Sequence, residues 1–304
     1  MKKRQINPVR KYPVACHRVF SNGIKDILKK KRNKEKVTVL TCYDYSFAKI
    51  LDETDIDMLL VGDSLANVVL GMSQTKNISL TEMLNHTKAV CKAAEETLVV
   101  ADMPYVAYQK NPKKCVYYAE KFIDSGADAV KIEWFPAKGG SLPAGRRGAS
   151  GGKDCPYVVK KLIKNKIPVM GHIGLTPQTV HLLGGFKVQG KDKKRAEELI
   201  QQAKLLQDLG VFSLVLECLP YQLAKEITKL LSIPTIGIGA GKYCDGQVLV
   251  LYDILGLYKQ RRPKFVKVYD DLSEKVEKAI NRYILEVKKG TFPSIDNSFS
   301  SQIK

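Results

Sequence analysis

From residue 36 onward the apolar positions gather into eight short runs: KVTVLT (36–41), DMLLVGD (57–63), TLVVADM (97–103), DAVKIE (128–133), IPVMGH (167–172), FSLVLE (212–217), PTIGIG (234–239) and QVLVLYD (247–253). Most are continuous rather than alternating, the pattern of parallel strands covered on both faces. Between them the apolar residues recur at helical spacing, and the helix ends are legible. Ser79 and Glu82 form a capping-box pattern ahead of Met83, Leu84 and Val90. CVYYAEKFIDSG stops at Gly126 and RAEELIQQAKLLQDLG at Gly210, where glycine commonly closes a helix. Eight repeats of strand then helix predict an α/β fold of the right-handed parallel (β/α)8 TIM barrel type. A doubly wound open sheet, built from the same alternation, is the competing architecture.

Two segments break the rhythm. Residues 134–157, WFPAKGGSLPAGRRGASGGKDCPY, carry six glycines between 139 and 152 and no periodicity. They read as a flexible insertion after the fourth strand. Residues 1–22 form a basic extension expected to be disordered, which leaves 23–304 as a single barrel domain. Past the last strand, DLSEKVEKAINRYILEVKKG (271–290) is a capped amphipathic helix with Val276, Ile280, Tyr283 and Val287 on one face. It is expected to pack across the barrel or against a partner subunit.

Charge alters this picture less than its size suggests. The 304 residues carry a formal +19, but residues 1–36 hold 13 Lys/Arg against Asp26 and Glu35, leaving +8 for the rest of the chain. A basic arm can bind polyanions; a lysine-rich tail is the plainer cause, and nucleic acid is not the expected partner. No apolar run approaches the roughly 20 residues of a membrane span. The N-terminus lacks the apolar core of a secretory signal. Seven cysteines, with no CxxC pair, suit a reducing compartment better than a disulfide framework. The expected location is cytoplasmic, with a mitochondrial address as the alternative if the basic extension is a transit peptide.

The candidate chemistry lies at the strand ends, which in such a barrel converge on one mouth. They read Asp63–Ser64, Asp102, Lys131 with Glu133, His172 and Glu217. A lone acid in such a place is more often a turn-former or helix cap, but five strands ending this way are hard to dismiss. Asp63, Asp102 and Glu133 are hard oxygen donors suited to Mg²⁺, and a cation would remove the repulsion between them. Lys131 and Glu133, two apart on one strand, share a face. Glu217 comes from across the barrel. His172 could be a ligand, a base or a core histidine, and is best read as a positioning residue. GIGAG (237–241) looks superficially like a dinucleotide fingerprint, but a backbone lying close to a ligand explains its glycines equally well.

In these residues the chain resembles the 3-methyl-2-oxobutanoate hydroxymethyltransferase (ketopantoate hydroxymethyltransferase) family. The matching phrases include TCYDYSFAKI, LVGDSLANVVLG, VVADMPYVAY, MGHIGLTPQTV, GGFKVQG, LVLECLP, IPTIGIGAG, DGQVLVLYDILG and GTFPSIDNSF, over roughly residues 23–299. The resemblance implies a barrel of the phosphoenolpyruvate/pyruvate superfamily type, a Mg²⁺ ion, and 5,10-methylenetetrahydrofolate as co-substrate. It implies metal binding by Asp63, Asp102 and Glu133, oxoacid binding by Asp63, Ser64, Asp102 and Lys131, and Glu217 as proton acceptor. It implies hydroxymethyl transfer to 3-methyl-2-oxobutanoate through a Mg-stabilised enolate, giving 2-dehydropantoate for pantothenate biosynthesis, in a homo-oligomer, commonly a decamer. Trp134 and Phe135 depart from the glycines usual after KIE, and the basic arm lies outside the pattern. A lyase acting on a 2-hydroxy or 2-methyl acid would share the site logic without needing folate; a polyanion-binding protein would use the arm instead.

Overall fold

The structure is a computed structural model describing residues 22–135, 154–258 and 263–300. The N-terminal arm up to residue 21 and the middle of the Gly-rich insertion, on which two of the expectations rest, lie outside the described residues. The chain divides into two compact units, one reaching to Val248 and one beginning at Leu249.

Eight parallel strands close into a barrel in sequence order: β1 (Val37–Thr41), β2 (Met58–Val61), β3 (Leu98–Asp102), β4 (Ala129–Glu133), β5 (Val169–Gly174), β6 (Ser213–Glu217), β7 (Thr235–Ile238) and β8 (Gly246–Leu249). Closure removes the sheet edges that an open, doubly wound arrangement would leave. The interleaved helices are α1 (Asn22–Asn33), α2 (Tyr45–Asp52), α3 (Leu65–Val68), α4 (Leu80–Ala93), α5 (Tyr105–Tyr108), α6 (Cys115–Asp124), α7 (Cys155–Lys164), α8 (Lys193–Asp208) and α9 (Tyr221–Leu230). The capping box at Ser79 and Glu82 is present, each side chain bonding the other's backbone N–H.

Three departures from the sequence reading have local causes. β7 passes to β8 through residues 239–245 with no helix, so the alternation is not complete. Gly239 (φ 63°) and Gly241 (φ 80°) turn the chain there, and a Cβ on Gly241 would stand 2.4 Å from Tyr221 Cβ. GIGAG is therefore a tight connection, not a phosphate loop opening a helix. The eighth strand also ends at Leu249 rather than running to 253. Finally, the ends of the expected insertion are ordered: Trp134 and Phe135 are buried, and α7 begins at Cys155, capped by Asp154.

The barrel interior is layered. Val39, Met58, Leu60, Leu98, Val100, Ala129, Met170, Val215, Ile236 and Val248 belong to one buried cluster that also takes in Ile27 of α1. Each large apolar side chain so buried contributes roughly 1.5–3 kcal/mol. Some of the N-terminal charge is consumed here: Lys30 pairs with Asp57 at 2.5 Å and Lys31 with Asp245 at 2.7 Å, while Lys36 Nζ donates to Cys244 O at 2.6 Å. Lysines so tied are not free to form a polyanion-binding arm.

In the second unit, α10 (Leu251–Ile254) is followed by α11 (Leu272–Lys289), capped by Asp271 and closed by Gly290 at φ 67°. No residue of α11 is buried. No described helix is long and apolar enough to cross a membrane.

Candidate active site

Side-chain alternation along the strands builds the site. Two steps beyond the inward-facing Val100 comes Asp102; two beyond Ala129 comes Lys131, and two further Glu133; two beyond Met170 comes His172; two beyond Val215 comes Glu217. The register sets Asp102 beside Lys131, Glu133 beside His172, and Gly174 beside Glu217. A polar layer thus lies directly on the apolar core at the C-terminal ends of the strands. Asp63 joins it from the turn after β2, where its own N–H donates to Asp102 Oδ2 at 3.0 Å.

The contacts form a chain across the mouth. Lys131 Nζ lies 2.5 Å from Asp102 Oδ1 and 3.3 Å from His172 Nδ1. An ammonium can only donate, so Nδ1 accepts and the ring proton of His172 sits on Nε2. That nitrogen lies 3.2 Å from Glu217 Oε2 without hydrogen-bond geometry. Ser64 Oγ shares a 2.8 Å hydrogen bond with Tyr43 OH, and the Tyr43 carbonyl meets His86 Nδ1 at 2.6 Å. Glu133 Oε2 accepts the Gln178 N–H at 3.0 Å. All are buried except Ser64, Glu217 and His86, which are partly exposed; the Glu217 side chain keeps 14% of its surface accessible, the most open of the acids facing His172.

Burial dominates the electrostatics. Desolvation pushes Glu133 well above the usual carboxylate range, with Asp63 adding repulsion. It pushes Asp102 up to about 6 against the pull of Lys131, and Glu217 up to about 8. His172 is held well below its ordinary value by burial and by Lys131, so its ring is neutral. Burial would lower Lys131 too, but Asp102, Glu133 and Asp63 more than offset it and keep the ammonium charged.

Four carboxyl groups therefore face one lysine. Glu133 Oε1 is buried with no hydrogen-bond partner, an arrangement that an added cation would relieve. Among the described residues no group of three His, Cys, Asp or Glu side chains is arranged to hold a metal ion by itself. A Mg²⁺ ion, which keeps waters and takes one or two carboxylates plus substrate oxygens, does not need such a group. The donor chemistry fits such an ion.

All seven residues singled out in the sequence, Asp63, Ser64, Asp102, Lys131, Glu133, His172 and Glu217, come to this mouth. Sequence reasoning missed Tyr43, Tyr108 and Gln178. Their one signal was polarity within otherwise apolar phrases, TCYDYSF, VVADMPYVAY and HIGLTPQ.

A closed parallel barrel with acids, a lysine and a neutral histidine at the carboxyl ends of its strands is the form of an enzyme that works on a small molecule. Residues 21–141 and 148–295 match the model of the ketopantoate hydroxymethyltransferases, and the chain belongs to that family. It is 49% identical over 279 residues to a 3-methyl-2-oxobutanoate hydroxymethyltransferase of Clostridium kluyveri, covering 91% of this chain and 94% of the relative. It is 48% identical to the enzyme of that name from Syntrophus aciditrophicus, over 88% and 93% of the two chains. Among solved structures, its fold is similar to 2,3-dimethylmalate lyase, a member of the PEP mutase/isocitrate lyase superfamily (TM-score 0.55, 15% identity, 92% and 93% covered). It is likewise similar to a phosphonopyruvate hydrolase (TM-score 0.56, 9% identity, 92% of both chains). These last two likenesses concern the fold.

Proposed function

We propose that the chain transfers a hydroxymethyl unit from 5,10-methylenetetrahydrofolate to 3-methyl-2-oxobutanoate, giving 2-dehydropantoate and tetrahydrofolate. The observation that carries this is the separation of roles around His172: a charged Lys131 on one side, and the partly accessible carboxyl of Glu217 on the other. Family membership supports the choice of reaction.

Lys131, kept charged by its neighbours, pairs with the substrate carboxylate or the developing oxyanion. Ser64, held by Tyr43, donates to the same carboxylate. Asp63, Asp102 and Glu133 would hold a Mg²⁺ ion, which when bound supplies Lewis-acid stabilisation of the enolate charge. Glu217 takes the proton from C3 of the oxoacid. Its high proton affinity suits a base that must hold that proton. The carbanionic C3 then bonds to the methylene carbon as one of its two C–N bonds to the folate breaks; water replaces the other, its oxygen becoming the hydroxyl, and the C3 proton and one water proton end on the two nitrogens of the departing tetrahydrofolate.

The resemblance implies a homo-oligomer, commonly a decamer; the apolar residues of α11, of which Val276, Ile280 and Tyr283 are each more than half exposed in the single chain, are in keeping with association but not with any particular number of copies. A cytoplasmic location is in keeping with buried thiols such as Cys42, Cys115, Cys155 and Cys244 that form no disulfide; bacterial relatives lend the mitochondrial alternative no support. The test of the function is product detection from the oxoacid, methylenetetrahydrofolate and Mg²⁺ with each omitted in turn. Product forming without the folate would overturn the reading.

A further inference from the structure

Gln178 touches more of the site than any residue yet given a role. It is fully buried, in the Pro177–Leu183 turn that follows β5. Its backbone N–H, among the first of a 3-10 segment and so without a partner inside it, donates to Glu133 Oε2 at 3.0 Å. Its side-chain Nε2 donates to Asp63 Oδ2 at 3.0 Å and to the Met103 carbonyl at 3.1 Å. Its Oε1 accepts from Tyr108 OH at 2.7 Å and from Gln109 Nε2 at 3.2 Å.

Both amide protons and both lone pairs are thus engaged, which permits only one orientation of the amide. Tyr108 is saturated in the same way. Its hydroxyl accepts the Glu133 N–H at 3.2 Å and Gln109 Nε2 at 3.1 Å, so its one proton must go to Gln178. We infer that Gln178 is a positioning residue that fixes two carboxylates in one mutual geometry, that of Asp63 after β2 through its side-chain amide and that of Glu133 on β4 through its backbone N–H. Two neighbouring buried acids repel and would splay or share a proton. The side-chain amide holds Asp63 and the backbone N–H holds Glu133, each as an acceptor and neither adding a positive charge, so the pocket keeps its charge for a cation. A lysine in its place would compete with that cation, and a glutamate could not donate to Asp63.

This inference rests on the proposed function for its consequence, but not for its geometry, and the two are tested separately. The variant Gln178→Met keeps the length and apolar volume and removes every side-chain hydrogen bond. Crystal structures of wild type and variant read the two carboxylates directly; binding of Mn²⁺ in the presence of 3-methyl-2-oxobutanoate, followed by electron paramagnetic resonance, reads the consequence. The expected result is displacement of the Asp63 carboxylate relative to that of Glu133, which the unchanged backbone N–H still holds, and Mn²⁺ affinity weakened ~10-fold or more, the scale of a lost bond to a buried charged group, in a folded protein. Carboxylates superposing on wild type, or Mn²⁺ affinity within twofold, would overturn the role. Should wild type itself not bind Mn²⁺ with the oxoacid, the metal reading falls and the carboxylate positions alone decide for Gln178. If Gln178→Met does not fold, Tyr108→Phe, which removes only the hydroxyl that orients the amide, is judged by the same two measurements.

Discussion

His172 Nε2 stands 3.2 Å from Glu217 Oε2 while Nδ1 of the same ring stands 3.3 Å from Lys131 Nζ. One neutral imidazole therefore spans the gap between the cation that would anchor an oxoacid and the carboxyl that would deprotonate it. It keeps the ammonium of Lys131 and the carboxyl of Glu217 apart.

The role of Glu217 follows from that separation. Glu217→Gln should slow exchange of the C3 protons of 3-methyl-2-oxobutanoate ~100-fold or more, the usual scale for loss of a general base. Oxoacid binding, measured by calorimetry, should remain. Because burial pushes the Glu217 carboxyl up to about 8, wild-type exchange measured by proton NMR without added cation should still be rising with pH at neutrality. Native exchange in the variant would remove Glu217 from this role.

Lys131 is the only base in direct contact with the Asp102 carboxylate among the described residues. Lys131→Met should destabilise the protein by roughly 3–5 kcal/mol, because a buried charge is left uncompensated. The loss should shrink as pH falls and Asp102 takes up a proton. Chemical denaturation at pH 5 and pH 8 measures both effects; an equal loss at the two values would contradict the pairing.

The stability of the ligand-free protein should itself fall as pH rises. Desolvation raises Glu133, Asp102 (to about 6) and Glu217 (to about 8) above their unfolded values. Between roughly pH 4 and 8 the folded state then holds more protons than the unfolded one, and the linkage slope is negative, on the order of 1 kcal/mol per pH unit. Denaturation midpoints across this range are the measurement. Mg²⁺ with the oxoacid should flatten the slope, since a cation favours the ionised carboxylates; a rising slope without ligands would refute the desolvation account.

Gly174 sits where β5 passes β6 beside Glu217, with φ 99°. A Cβ there would lie 2.2 Å from the Glu217 carbonyl oxygen, so Gly174→Ala should unfold the barrel end or displace Glu217. Gly185, at φ 101° with open space around it, is the control: its alanine variant should cost about 1–2 kcal/mol for the left-handed backbone alone. Thermal unfolding of the pair separates contact from conformation, and equal losses would rule the contact out.

The strands were legible because parallel strands buried on both faces must be apolar throughout, and that leaves continuous runs in the chain. A two-residue period then carried Asp102, Lys131, Glu133, His172 and Glu217 to one face once closure was assumed. The missing helix between β7 and β8 was not legible, since the glycines of GIGAG permit a tight turn without demanding one. Nor was the ordering of Trp134 and Phe135, whose burial depends on neighbours such as the Tyr108 ring, 5.5 Å from that of Phe135.

By itself, then, the order of residues determined the barrel class, the family and the seven strand-end polar groups from Asp63 to Glu217, because all three follow from local periodicity and motif. Only the tertiary structure decided which of those groups touch. The bond between Gln178 and Asp63 links residues 115 positions apart, and no local pattern specifies a contact that exists only once eight strands have closed. The proton on His172 Nε2 was settled in the same way, by a lysine ammonium that packing brought to the opposite nitrogen.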